Sequence, residues 1–462
     1  MNVRHLLSRR DFYTRMSVGL GGIALGSLLG DTRARYDVLP KQPHFAPKVK
    51  RVIYLFQNGG PSQVDLFDPK PELIRRSGQK PGEGFINTVD PAKTGSWLGS
   101  PFQFAPRGKS GMVLSELLPG LARHADDVAL IRSMVTVHSN HEQAIWQFNT
   151  GTVMPGRPAM GSWITYALGT ENQNLPAYAA ILNPKGLPVD GVRNFSNGWL
   201  PPVYQGMAMR AEGTPVLNLK PKTSDAAVRS RLELLQTLNR EHLRRHSDQL
   251  ELEARIESFE LAARMQIEAT DALDLARESK ETHDLYQTGD PVAGIHGRQL
   301  LLARRLIERG VRFVQVLHEG QPWDTHRENA SGNRKICQQT DEPTAALLTD
   351  LKRRGLWNDT LVIWGGEFGR TPMAEGKDGR DHHKFGFSIW IAGGGVKGGV
   401  TYGGTDDFGY HSVDQVVTVA DFHSTVLHLL GIDFNRLSFH HDTRDEKLTD
   451  VQTPNVVKAI LS

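Results

Sequence analysis

The 462-residue chain has a single cysteine, Cys337, so no intramolecular disulfide can form. A lone cysteine reads as a small buried apolar residue rather than a nucleophile. An excess of one charge is also lacking. Lys and Arg number 54 against 51 Asp and Glu, a net charge of +3, which gives no case for nucleic acid or an acidic partner. The uncharged run VGLGGIALGSLLG at 18–30 has only 13 residues. About 20 are needed to cross a bilayer, so no transmembrane span is expected in the mature form. Residues 224–286 contain neither Gly nor Pro, in a chain with 46 Gly and 25 Pro.

Hydrophobic residues make up 39% and charged residues 23%, so most of the chain should be globular. The 18 histidines are many, and several stand beside Asp, Gly or another His. That distribution directs attention to metals. At the N-terminus, SRRDFYTRM (8–16) precedes the short apolar run. Basic residues before a short apolar stretch read as an export signal. Arg9-Arg10 with Phe12 resembles a twin-arginine signal. Residues 1–34 are therefore expected to be a signal segment, which places the protein in the periplasm, the cell envelope or outside the cell.

After a linker at 31–47, KRVIYLF (50–56) reads as a buried strand running into QNGGPS. Residues 68–110 read as an irregular excursion, and 185–222 as loop. DDVALIRSM (126–134) and YAAILNP (178–184) read as strands, and 136–151 as a polar loop and a helix. Residues 224–286, with Leu at 232, 235, 238 and 243, read as one or two long amphipathic helices. Beyond them come a helix at 297–310, a strand at 311–317, a helix at 344–360 and the strand LVIW. A strand at 387–395 and a helix at 417–432 follow. The alternation predicts α/β architecture with helices on both faces of a mostly parallel sheet.

Ligands in such sheets sit beyond the carboxyl ends of the strands. Five loops there carry metal-binding residue types. They hold Asn58 and Asp65; His138, Ser139 and His141; Asp324 and His326; Glu367; and Asp381, His382 and His383. Imidazole with carboxylate suits zinc, manganese or iron, with calcium or magnesium less favoured; zinc or manganese is the expected cofactor.

FQNGGPSQVDLFDPKP, GRQLLLARRLIERGVRFVQV, LVIWGGEFGRTP, GRDHHKFGFSIWIAGGGVKGG and DFHSTVLHLLGID together resemble the uncharacterised-domain family numbered 1501. That family is related to the alkaline phosphatase and sulfatase superfamily. The resemblance implies an alkaline phosphatase-like domain over 48–462: a mixed, mostly parallel sheet sandwiched by helices, with 224–286 as a helical insertion. It also implies a metal-dependent hydrolase fold. Relatives carry a ligand Asp after the first strand, where this chain has Asn58, and an Asp-His pair where it has Glu367-Phe368. They carry a nucleophilic Ser, Thr or modified Cys where it has His141, with Ser139 two residues away.

The resemblance thus leaves one half-site intact: Asp324, His326 and either His382 or His383. A second, altered half-site would comprise Asn58, His141 and Glu367. For His141, direct attack, general acid–base work and metal ligation all stay open. Arg370 is placed to hold an anionic ester by a bidentate contact. The expected activity is hydrolysis of a phosphate or sulfate ester, small or polymer-attached. The alternative is a non-catalytic metal- or ligand-binding protein of the cell envelope that kept the fold.

Overall fold

The five residues from Val52 to Phe56 are all buried, as the middle of a sheet covered on both faces requires. The computed structural model describes residues 37–213 and 270–462 except residue 88, with scattered positions between 230 and 261. Val38–Ser462 form one compact unit. The 1–34 signal segment lies outside the described residues, as does most of the 224–286 helical insertion. The described end of that insertion holds the short helices Thr270–Leu273 and Lys280–Leu285.

The main sheet has nine strands: β1 (Arg51–Phe56), β2 (Val128–Val135), β3 (Tyr178–Leu182), β4 (Met207–Arg210), β5 (Phe313–Leu317), β6 (Thr360–Gly365), β7 (Phe387–Gly393), β8 (Val400–Tyr402) and β9 (Val417–Thr418). Their order is β8-β2-β7-β6-β1-β5-β3-β4, with β9 also on β2. β7 runs antiparallel to both of its neighbours, and every other pairing is parallel. The architecture is the mixed, mostly parallel sheet expected. Met207–Arg210 falls in the stretch read as loop; it is a four-residue edge strand and too short to show a period.

Helices cover both faces. The main ones are α1 (His141–Thr150), α2 (Met160–Leu168), α3 (Gly294–Glu308), α4 (Asn329–Arg353) and α5 (Val419–Leu429). Alternate strand residues point to opposite faces. Ile53, Leu55, Val314, Val316 and Trp364 join one core with Leu300, Leu301 and Leu347 of α3 and α4. Tyr54, Phe56 and Phe387 meet Phe148 of α1 on the other face, where Phe148 stacks on Phe422 of α5. Each such fully buried side chain contributes roughly 1.5–3 kcal/mol of transfer free energy. α4 begins fifteen residues before its expected start and carries Pro343 inside it.

The register decides where the functional loops go. Phe56 pairs with Leu317 and with Gly365, so β1, β5 and β6 end together. β2 runs in the same direction, and its carboxyl end leads to α1. The reversed β7 brings its amino end to the same edge, and His382–His383 precede it.

Candidate metal centre

Asp324, after β5, is where the five loops meet. Its approach to the loop after β1 needs Gly59, at φ +112°, where a Cβ would stand 2.7 Å from the Asp324 backbone nitrogen. Three imidazoles face Asp324 Oδ1 through Nε2: His141 at 3.4 Å, His326 at 3.1 Å and His382 at 3.3 Å. His326 and His382 place their Nε2 atoms 3.0 Å apart.

Each ring is held at its other nitrogen by an acceptor. His141 Nδ1 lies 2.6 Å from Glu367 Oε1, and His382 Nδ1 lies 2.7 Å from the Ser139 carbonyl. His326 Nδ1 meets the Glu375 carboxylate. With Nδ1–H donating, a neutral ring leaves a lone pair on Nε2. Three lone pairs then confront a carboxylate oxygen, an arrangement that calls for a proton or a cation. His141 Nε2 and Glu367 Oε2 are buried with no hydrogen-bond partner among the described residues. His141, Asp324 and His382 bring ligand atoms within 4.8 Å of one another, as do His326, Asp381 and His382. The donor set, imidazole with carboxylate, fits a divalent cation.

The proton equilibria follow from the packing. With no ion between them, the rings can instead donate through Nε2. Burial would push the Asp324 carboxyl up, but hydrogen bonds from the three imidazoles and the Arg370 charge hold it well below the usual range. The Asp324 hydrogen bond lifts His326 to about 9, against burial and with help from Glu375. For His141, burial pulls down and the nearby Asp324 and Glu367 carboxylates prevail, so its pKa is raised. For His382 burial prevails and the pKa is lowered.

The two half-sites do not form separately. His141 turns toward Asp324 while anchored to Glu367, whose Oε1 also accepts from the Gly59 N–H at 2.9 Å. Glu367 is fully buried and touches the cluster through His141. Asn58 is not among the converging groups. Its amide donates to the Gly320 carbonyl and accepts from the His318 N–H at 3.3 Å, so it ties two loops together. Phe368 lies fully buried with its ring 4.8 Å from both His141 and His382.

His383 departs from the expected ligand set. In the two-residue ribbon pairing His382 with Arg370, neighbouring side chains take opposite faces. His383 is fully buried and bonds the Tyr410 carbonyl, and burial lowers its pKa to about 4. Arg370 is not poised for an ester either. It is fully buried, and its guanidinium donates to the Gly60 carbonyl at 3.0 Å, Arg380 at 3.2 Å, Asp324 at 2.6 Å and the Gly59 carbonyl. Ser139 enters through its backbone carbonyl.

Glu375 escaped the sequence reading because it stands in AEGKDGR, well beyond the end of the LVIW strand. The other side of Asp324 opens on a cleft of about 830 Å³ that Lys185, Arg327 and Lys335 also line.

Solved structures align with the chain at low identity. The lipoteichoic acid synthase LtaP from Listeria monocytogenes is 10% identical, with a TM-score of 0.35 over 88% of this chain and 76% of that one. A sulfatase from Pseudoalteromonas sp. is 12% identical, with a TM-score of 0.37 over 91% and 72%. The phosphonate monoester hydrolase of Agrobacterium radiobacter is 13% identical, with a TM-score of 0.31 over 84% and 74%. No curated protein matches the chain. The family described as "Protein of unknown function (DUF1501)" matches residues 49–461, and the chain belongs to that family.

Proposed function

We propose that this protein is an exported hydrolase of a phosphate or sulfate ester, dependent on one divalent cation. Asp324, His141, His326 and His382 would hold the ion, zinc or manganese before calcium. The observation that carries this reading is the aim of three anchored Nε2 atoms at one carboxylate oxygen. A bound ion supplies Lewis acidity toward an ester oxygen.

The chain's own residues do the rest. Glu367, Glu375 and the Ser139 carbonyl hold the imidazoles in orientation. Phe368 keeps water from one side of His141 and His382. His141 serves as a ligand, with its Nδ1–H held by the Glu367 carboxylate. The cleft beside Asp324 gives room for a small or polymer-attached ester, and Lys185, Arg327 and Lys335 line it together with Glu319 and Glu328. With His at position 141, no covalent serine- or threonine-type intermediate forms. Arg9-Arg10 and the 18–30 run support delivery to the periplasm or cell envelope.

The test is metal analysis of the purified protein with turnover of aryl phosphates and aryl sulfates. Stoichiometric metal and turnover, both lost in Asp324→Ala, are expected. Absence of metal from the wild type would overturn the proposal. A second reading, a metal-binding envelope protein without turnover, is favoured by the engaged donors of Arg370. Stoichiometric metal with no turnover over a broad ester panel would select it.

A further inference from the structure

Glu375 lies outside every strand-end motif, yet its carboxylate meets His326 Nδ1. We infer that Glu375 is a positioning residue, carried on the excursion between Thr371 and Arg380, that fixes which nitrogen of His326 faces the centre. The inference rests on the metal-centre reading above.

The excursion is tied to the segment that carries His326. Glu375 and Gly379 exchange backbone hydrogen bonds of 2.8 and 3.1 Å, closing the loop on itself. The Arg380 N–H donates to the Thr325 carbonyl at 2.9 Å, and the Asn329 N–H to the Asp378 carbonyl at 3.2 Å. The Asp378 side chain accepts from the Glu328 N–H at 3.1 Å. Gly379 is required at this contact, because a Cβ there would stand 1.8 Å from the His326 carbonyl oxygen. Backbone bonds on both sides of His326 thus set the height at which Glu375 presents its acceptor.

The chemistry needs that acceptor. A neutral imidazole carries one proton, on either nitrogen. If Nε2 carried it, His326 would donate to Asp324 and have no lone pair for a cation. The Glu375 carboxylate makes Nδ1 the favoured position, which frees Nε2 and raises the basicity of the ring. His326 keeps 38% of its side-chain exposure and Glu375 keeps 22%. This dyad is therefore more open to solvent than His141 and Glu367, at 11% and 0%. His326 is accordingly the ligand with least packing to orient it, and it depends most on its anchor.

The test compares wild type, Glu375→Ala and Glu375→Gln as full-length proteins, stripped of metal and titrated with zinc against a chromogenic chelator. The visible spectrum of the cobalt(II) form is read alongside. Glu375→Ala should weaken zinc roughly 10–100-fold and shift the cobalt bands. Glu375→Gln, which keeps an acceptor, should recover part of the affinity with the unfolding midpoint of the metal-free protein unchanged. Zinc affinity and cobalt bands equal to wild type in both variants would overturn the inference. A wild type that binds no metal would instead overturn the metal-centre reading.

Discussion

Arg370 Nη2 stands 2.6 Å from Asp324 Oδ1, with the guanidinium fully buried and the carboxylate at 20% side-chain exposure. The same oxygen faces three imidazoles, so a buried arginine shares the acceptor on which the site converges.

Removing the arginine should act first on the fold. Arg370→Met would remove the shortest contact to the Asp324 carboxylate and leave the carbonyls of Gly59, Gly60 and Arg380 without their donor. A loss of about 3–5 kcal/mol is expected, read as a fall in the urea midpoint. Unchanged stability with weakened ester binding would mean that Arg370 faces substrate after all.

The adjacent histidines should separate cleanly. His382→Ala should abolish stoichiometric metal, as Asp324→Ala should. His383→Ala should keep its metal and lose roughly 1–3 kcal/mol of stability, since His383 bonds the Tyr410 carbonyl away from the cluster. Equal metal loss in both would place His383 in the centre.

Glu367→Gln retains an oxygen for His141 and removes the charge. Zinc affinity should fall roughly 10–100-fold while stoichiometry at saturation stays at wild-type level. Complete loss of binding would make Glu367 a direct ligand.

Asp65 and Arg380 form an ion pair with both side chains fully buried. Burial alone would raise the Asp65 carboxyl, but Arg380, Ser62 and Asn329 bring it below its ordinary value. The folded state therefore holds this proton less tightly than the unfolded chain. The stabilisation is present above the unfolded value and lost as pH falls through the folded one. Asp65→Asn should cost about 3–5 kcal/mol at neutral pH and flatten the acid limb of a stability–pH curve. An acid limb identical to wild type would refute the assignment.

Asp341 should show the opposite dependence. Burial pushes its carboxyl up to about 7, against hydrogen bonds from the Leu121 and Gly120 N–H groups. Here the folded state holds the proton more tightly. The stabilisation is full below the unfolded value and disappears as pH rises through about 7. Chemical denaturation of wild type and Asp341→Ala from pH 4 to 8 should show the wild-type advantage shrinking as pH rises. An advantage that grows with pH would contradict it.

Residue pattern alone made the parallel sheet legible, because strands such as RVIYLF are buried on both faces and carry unbroken apolar runs. It also made the site's neighbourhood legible, because strand ends in such a sheet gather ligand-type residues. Short edge strands such as Met207–Arg210 were hidden, since four residues show no usable period.

The roles were left to tertiary structure. Strand periodicity carries no direction, and only the reversal of β7 brings His382 to the edge where β1, β5 and β6 end. Residue type suggested Glu367, Asn58 and His383 as ligands. Packing gave them an anchor for His141, a tie between loops and a buried bond to Tyr410. Glu375 came into view only when the chain folded back on His326. Local sequence sets which chemistry a side chain can offer, and long-range contacts decide which partner receives it.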